Sequence, residues 1–514
     1  MLCCMQVLSN YRMVHVFRVD FEMPGRDSAC RISLLVVCIV LVSCLGGFSQ
    51  QPAAPAISKQ PATQQKQSSS TQGDIGIQVQ PAAGPAEKKI TPAEAQQLFA
   101  SIDETLNWLS KDTGYAIKQK VKGELASRQQ VAKYVDEKMN EDEDAKRLER
   151  SEIVLKKFGL LPRDFDLHKF LVQLLQEQVA GYYDVKTKKM YLLDWLSADA
   201  QKPVLAHELT HALQDQNFDL KSWESPKAAK GSDKEEFSFD EDEASTARSA
   251  VAEAPQVAEM MRKAMTSNSE FPLLQKAPLM IRESLVFPYG DGLTFEAALL
   301  QKDKDTAFSG TFRRPPQDTH EILDVAAYLH NRPVRWLILP DLKKELGPNY
   351  EKYDVGSIGQ LDTRILVEQY ADENAGKEMA EAWRGGVYYA ASNKDSKMTG
   401  TAKMGLLYLS RWNSVEAASE FAKIYASYVP NRYSKALRLG ASEAADKFCP
   451  KSECSGSYFF QTEDGWVTVQ RVGDESVLVT EGFEPEMAKK VEQKVLMANP
   501  ENSVQVNMHQ PIVY

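Results

Sequence analysis

Residues 206–216 read AHELTHALQDQ and place two histidines four positions apart, with a glutamate between them. On a helix, side chains at this spacing lie one above the other, so His207 and His211 can bind one metal ion. Glu208 is displaced around the helix and can accept a proton from a water molecule that the metal activates. This division of roles serves zinc-dependent hydrolysis, and it predicts Zn²⁺ as the cofactor.

The motif is specific for a chain of this composition. Only seven histidines are present, so a chance His-Glu-x-x-His is expected in about one such chain in a hundred. No charged residue occupies positions 203–206, 209–210 or 212–214, which fits a helix that is buried around a water-excluding site. The alternative interpretation is a structural helix with two hydrogen-bonded histidines.

The segment VLAHELTHALQDQ resembles the active-site helix of the zincin metallopeptidases, and among them that of the gluzincins. Over about residues 150 to 500, the chain also resembles a group of exported bacterial proteins of mostly unassigned substrate. The shared segments are EQVAGYYDVKTKKMYLLDW, HELTHALQDQ, FPYGDGLTF, PP-x-x-T-x-x-IL and GWVTVQRVGDESVLVTEGF. The resemblance implies a zincin-like catalytic unit with a polypeptide as its substrate.

The resemblance also nominates the third zinc ligand. The pattern is a helix reading roughly A-R-x-A-x-x-E-G, and the segment ARSAVAEA places Glu253 at the ligand position. Two departures are Ala254 in place of the glycine and Pro255 after it, and a proline here ends a helix unless a new one begins. Glu243 and Glu241, in the acidic run upstream, are therefore the alternative ligands.

Further groups of the site are predicted from their place in the chain. Asp215 follows the second histidine by four residues and is expected to hold that ring, its alternative being an exposed helix end. The run KMYLLDW is expected to form an edge strand that pairs with substrate through the segment around Tyr191 and Leu193. The alternative, which is compatible with such pairing, is that Tyr191, Leu193 and Trp195 simply fill one sheet face. His320 and Tyr289 are candidates for stabilising the oxyanion.

The N-terminus indicates export. Arg26 and Arg31 precede the 14-residue apolar run ISLLVVCIVLVSCL, which is typical of a signal-peptide core and short for a membrane span. Cleavage is predicted either at a lipobox before Cys44, which would give a lipid anchor, or before Gln50, which would give a secreted protein. The expected location is outside the cytoplasm, in the cell envelope or the medium.

The cysteines agree with an oxidising compartment. Five of the seven lie at or before Cys44, which leaves Cys449 and Cys454 in the folded part. Their C-x4-C spacing predicts a small disulfide loop, because no further cysteine is available to complete a metal site.

Charge limits the partners. The net charge is −10, and no basic patch with interleaved aromatic residues is present, which argues against nucleic acid. A membrane is expected to contact the protein only through a lipid anchor at Cys44. The sequence carries no signal for the oligomeric state.

The order of patterns predicts an α+β fold. A signal peptide at residues 1–49 and a Pro/Gln/Ser/Ala-rich linker at 50–89 precede a zincin-like domain at 90–345. That domain is expected to begin with a helical scaffold, to continue with a hairpin (YYDV, KTKK, KMYLLDW), and to carry the motif on a helix that Pro203 opens.

The C-terminal region, 346–514, is predicted to contain helices over 356–432 and a small α/β element that ends in a helix at 484–498.

Two other functions stay open. The departures from the ligand pattern would suit a catalytically silent cell-envelope binding or assembly protein. A zinc hydrolase could also act on a non-protein amide, such as a cell-wall crosslink.

Overall fold

A computed structural model describes most of the chain beyond the predicted linker. The described residues are 89–139, 142–178, 181–220, 223, 240–252, 272–332, 334, 337–440, 448 and 456–501. The predicted signal peptide with Cys44, nearly all of the linker, Glu253, and the predicted disulfide between Cys449 and Cys454 lie outside these ranges. Within them, no helix is both long and apolar enough to cross a membrane.

The fold is α+β, as the sequence predicts, with one three-stranded and one seven-stranded sheet in the described ranges. The strands are β1 (Lys122–Ala126), β2 (Gly181–Asp184), β3 (Lys189–Leu193), β4 (Tyr350–Ser357), β5 (Trp383–Asn393), β6 (Met404–Trp412), β7 (Ala436–Arg438), β8 (Tyr458–Thr462), β9 (Gly465–Val472) and β10 (Ser476–Glu481).

Helices surround both sheets, and a π-helical turn (Thr306–Gly310) and a 3-10 turn (Gly400–Lys403) accompany them. The α-helices are α1 (Pro92–Ala100), α2 (Ile102–Thr113), α3 (Arg128–Met139), α4 (Asp142–Phe158), α5 (Leu167–Gln178), α6 (Ala198–Phe218), α7 (Asp240–Ala252), α8 (Pro272–Lys276), α9 (Leu279–Lys302), α10 (Thr311–Arg313), α11 (Thr319–Leu323), α12 (Val325–Leu329), α13 (Lys343–Leu346), α14 (Gln360–Tyr370), α15 (Glu373–Ala382), α16 (Val415–Arg432) and α17 (Pro485–Ala498).

The three-stranded sheet contains the predicted hairpin and one strand that was not predicted. β2 and β3 pair antiparallel, with Tyr182 opposite Tyr191. β1, in a stretch whose pattern predicts helix, pairs parallel with β3, so the order is β1-β3-β2. The prediction that β3 is an edge strand is therefore wrong, because both of its edges are occupied. β2 is the edge strand next to it.

Helix α6 carries the His-Glu-x-x-His motif and begins five residues before the predicted start. It opens at Ala198, so Pro203 lies inside the helix and not in its first turn. Gln201, which is fully buried, secures the connection from β3. Its Oε1 accepts from the Leu193 amide at 2.9 Å, and its Nε2 donates to the carbonyls of Leu193 and Leu196, each at 3.0 Å.

The seven-stranded sheet is antiparallel, in the order β4-β5-β6-β10-β9-β8-β7. The helical prediction for 356–432 is wrong for β5 and β6, which lie in its middle. Both strands are buried on both faces. Their sequences therefore lack the alternation of apolar and polar residues that identifies a half-exposed strand. One face packs against α14, α16 and the first half of the chain, and the other against α13 and α17. The terminal strands and final helix agree with prediction.

Candidate metal centre

Two imidazole rings converge on α6. The Nε2 atoms of His207 and His211 lie 2.9 Å apart, and both side chains are almost completely buried. Two nitrogens bound to one tetrahedral zinc ion lie about 3.3 Å apart, given Zn–N bonds of about 2.0–2.1 Å. A small rotation of either ring would therefore accommodate the ion, and the donor atoms fit the predicted metal.

Gln214 fixes the orientation of the second ring. Its Oε1 lies 2.8 Å from Nδ1 of His211. An amide oxygen can only accept, so Nδ1 carries the proton and Nε2 presents its lone pair toward His207. The prediction that Asp215 holds this ring is wrong, because Gln214 occupies the position at Nδ1. A glutamine three residues after the histidine on the same helix face was the signal available in the sequence.

The carboxylate between the histidines lies at the edge of the small sheet. Glu208 is fully buried, and its Oε2 accepts from the backbone amide of Tyr183 in β2 at 2.6 Å. In an antiparallel pair, the N–H and C=O of one residue both point toward the neighbouring strand or both point away from it. Because the Tyr183 N–H bonds to Glu208, both backbone groups of Tyr183 point away from β3. The edge of β2 that pairs with no described strand therefore faces Glu208.

Close approach of β2 to α6 makes this contact possible. A Cβ atom on Gly181 would lie 2.5 Å from Cγ1 of Val204, so this position accepts only glycine without a shift of the strand or the helix. Farther along, the Tyr183 hydroxyl donates to Oδ2 of Asp215 at 2.8 Å. The Lys188 ammonium reaches the same oxygen at 2.6 Å. Asp215 is thus buried and paired, and the exposed helix end considered for it does not apply.

Tyr191 and Leu193 lie on the other side of this sheet. Successive strand residues point to opposite faces, and Tyr183 points to α6. Tyr182 and its cross-strand partner Tyr191 therefore belong to the far face, where their rings stack at 4.7 Å and the ring of Tyr134 stacks on Tyr182 at 4.5 Å. Leu193 shares that face and is fully buried. These side chains fill a sheet face, which was the alternative interpretation.

The two oxyanion candidates lie in other elements. His320 belongs to α11, and its Nδ1 lies 2.6 Å from Oε1 of Gln360, at the start of α14. Its described contacts therefore join the PPQDTHEIL segment to the C-terminal half. Tyr289 is buried in the middle of α9. A role at an oxyanion stays a prediction for both.

The third ligand is not among the described side chains, since no group of three His, Cys, Asp or Glu residues in the described ranges could hold a metal. Glu241 and Glu243 lie in α7, but their side chains are outside the description, and Glu253 follows the last described residue of that helix.

A polar segment after the motif anchors α6 to the chain before β1. Oε1 of Gln216 accepts from the amides of Lys118 and Gln119 at 2.8 and 3.1 Å, and its Nε2 donates to the Gln119 carbonyl at 3.1 Å. Nδ2 of Asn217 donates to the Ala116 carbonyl at 2.9 Å. Sequence analysis missed this function of the QDQN segment.

One comparison with known proteins gives a match. A family described as a domain of unknown function (DUF8575) matches residues 350–483, which span the seven-stranded sheet from β4 to β10 with α14 to α16. No curated protein and no solved structure is similar enough to count as a match. The matched segment lies outside α6 and its surroundings.

Proposed function

We propose that this protein is an exported zinc-dependent metallopeptidase that uses Glu208 as its general base. The observation that carries the proposal is the convergence of the His207 and His211 Nε2 atoms beside the buried Glu208 carboxylate. A zinc ion held there would act as a Lewis acid and lower the pKa of a water molecule toward neutrality. Glu208 would take a proton from the attacking water and later deliver it to the leaving amine.

The third ligand is proposed to come from helix α7 or the residue that follows it. Sequence resemblance favours Glu253. Glu243 and Glu241, in the acidic run upstream, are the alternatives.

A polypeptide is the substrate class that the edge of β2 supports. β2 is an edge strand of the three-stranded sheet in the described ranges, and an extended chain could pair with such an edge by β-augmentation. A chain bound in this way would pass beside Glu208, because the Tyr183 amide already reaches that carboxylate. Backbone pairing of this kind suits an extended polypeptide, which favours a protein over a non-protein amide such as a cell-wall crosslink.

The central experiment measures metal content and proteolysis together. We expect the purified protein to contain one zinc ion per chain and to cleave denatured casein or a peptide library. Glu208→Gln should keep the zinc and lose the cleavage, and the exposed variant Glu378→Gln should keep both. Absence of zinc from the wild type, or undiminished cleavage by Glu208→Gln, would contradict the proposal. Cleavage of peptidoglycan but not of peptides would favour the alternative in which the substrate is a non-protein amide.

A second measurement locates the third ligand. Zinc content is compared among Glu253→Ala, Glu243→Ala and Glu241→Ala, and only the ligand variant should lose the metal.

Export is tested on the mature protein by mass spectrometry. A lipid-modified N-terminal Cys44 or an unmodified N-terminal Gln50 distinguishes the two predicted cleavage sites.

A further inference from the structure

We infer that Tyr183 and Asp215 form a latch that positions the proposed general base. The inference rests on the proposed function, and it assigns to Asp215 an action on Glu208 rather than on a zinc ligand. Tyr183 contacts α6 at two places, through its backbone amide to Glu208 at 2.6 Å and through its hydroxyl to Asp215 at 2.8 Å.

The two contact points fix the strand against the helix. Glu208 and Asp215 are seven residues apart, which is about two helical turns, or roughly 10 Å along α6. A single residue of β2 bonded at both points cannot slide along the helix or rotate away from it. The direction of the Tyr183 amide toward the Glu208 carboxylate therefore depends on the bond between its hydroxyl and Asp215.

Lys188 strengthens the latch at the hairpin turn. Its backbone adopts a left-handed conformation, with φ of 56°, and its ammonium lies 2.6 Å from the same Asp215 oxygen that accepts from Tyr183. The Asp215 side chain is 1% exposed, whereas that of Lys188 is 41% exposed. A buried carboxylate with a charge-assisted bond is a firm anchor, so both ends of the hairpin turn are tied to α6.

The latch acts on an edge that substrate must also use. The outward edge of β2 is proposed to pair with the substrate backbone, and the Tyr183 amide on that edge also bonds to the base. Loss of the hydroxyl–Asp215 bond should therefore misplace the base relative to the scissile bond. It should not change the metal ligands, because His207 and His211 are held on α6 itself and His211 is oriented by Gln214.

The test is Tyr183→Phe, with Tyr182→Phe as the matched control. Both variants remove one tyrosine hydroxyl from β2, but the Tyr182 ring lies on the far face in the tyrosine stack. We expect Tyr183→Phe to lower kcat by about tenfold or more, with KM within about twofold and zinc content unchanged. Hydrogen exchange at the Tyr183 amide should become faster. Tyr182→Phe should match the wild type in all four measurements.

A second variant guards against a folding defect. Lys188→Asn keeps a residue that tolerates the left-handed turn but removes the ammonium from Asp215, and it should lower kcat in the same direction by a smaller factor. Wild-type kcat and amide protection in Tyr183→Phe would overturn the latch, as would loss of zinc from that variant. If the wild type cleaves no peptide, the proposed function fails, and hydrogen exchange at the Tyr183 amide alone decides whether the latch exists.

Discussion

At the scale of single residues, the polar side chains that follow His211 each bind a different neighbour. Gln214 holds the histidine ring, Asp215 binds β2, and Gln216 binds the chain before β1. Successive residues point about 100° apart around a helix, so these three side chains reach different elements. For Asp215 and Gln216, the type and position of the side chain do not reveal the partner without the neighbouring elements.

Gln214→Leu should weaken zinc binding. The variant keeps the buried volume but removes the acceptor from Nδ1 of His211, and loss of such a partner reduces metal affinity by about 10- to 100-fold. Gln216→Leu makes the same chemical change two residues later, where the side chain contacts Lys118 and Gln119, and should bind zinc as the wild type does. Competition with a chromophoric chelator measures both affinities, and equal values in the two variants would rule out this role for Gln214.

At the scale of elements, helices α7 and α9 approach each other closely at Gly292. The segment FPYGDGLTF lies inside the 24-residue helix α9. A Cβ atom on Gly292 would lie 2.6 Å from the carbonyl oxygen and 3.0 Å from Cβ of Ala250 in α7. The absence of a side chain at Gly292 therefore sets the distance between the two helices. It also sets the position of the helix that carries the third-ligand candidates.

Gly292→Ala should separate these helices. We expect a loss of about 1–3 kcal/mol in the free energy of unfolding, as is usual for overpacking, together with weaker zinc binding. Gly290→Ala is the matched control, because its Cβ would meet only Cγ1 of Val286 at 4.0 Å. It should raise the stability by up to about 1 kcal/mol, since alanine is the better helix former. Urea denaturation measures both, and a Gly292 variant as stable as the Gly290 variant would contradict the packing argument.

At the scale of the whole molecule, a buried ionic cluster joins the first half of the chain to the seven-stranded sheet. Arg432 of α16 and Glu481 of β10 lie 2.7 Å apart, and both side chains are at most 3% exposed. Arg432 also donates to the carbonyl of Lys157, at the end of α4, at 2.7 Å. Lys157 and Arg163 both reach the Asp464 carboxylate, at 3.5 and 3.0 Å. The cluster therefore spans both halves.

The cluster keeps Glu481 ionised. Burial alone would raise its pKa, but the charges of Arg432 and Lys157, with hydrogen bonds from Arg432 and Tyr433, outweigh burial and lower the pKa below its ordinary value of 4.5. Because the folded-state pKa is the lower one, the carboxylate stabilises the fold above pH 4.5. That contribution is lost as the pH falls through the folded-state pKa.

Glu481→Gln should therefore destabilise the protein most near neutral pH. Breaking a buried pair leaves Arg432 without its countercharge, which typically costs about 3–5 kcal/mol. The difference from the wild type should shrink below pH 4.5. Glu420→Gln, in the exposed pair with Lys423, should change stability by less than about 1 kcal/mol. Denaturation from acid to neutral pH measures both, and a Glu481 variant as stable as the Glu420 variant would show that the pair is not needed.

The sequence by itself determined the local features. Helical spacing placed His207 and His211 on one face, and the polar turn KTKK predicted the hairpin. At the start of α1, Thr91 and Glu94 form a reciprocal capping box. Each of these depends on residues within a few positions of one another, so the physics that decides them is contained in a short segment.

Only the tertiary structure decided which strand lies at the sheet edge beside Glu208 and what holds the motif. β1 joins β3 across more than sixty residues, and that pairing leaves β2 beside Glu208. The buried strands β5 and β6 lack the alternation that identifies a strand, because both of their faces are covered by distant parts of the chain. Pairing and burial of this kind arise from contacts between remote segments, whose partners no local pattern specifies.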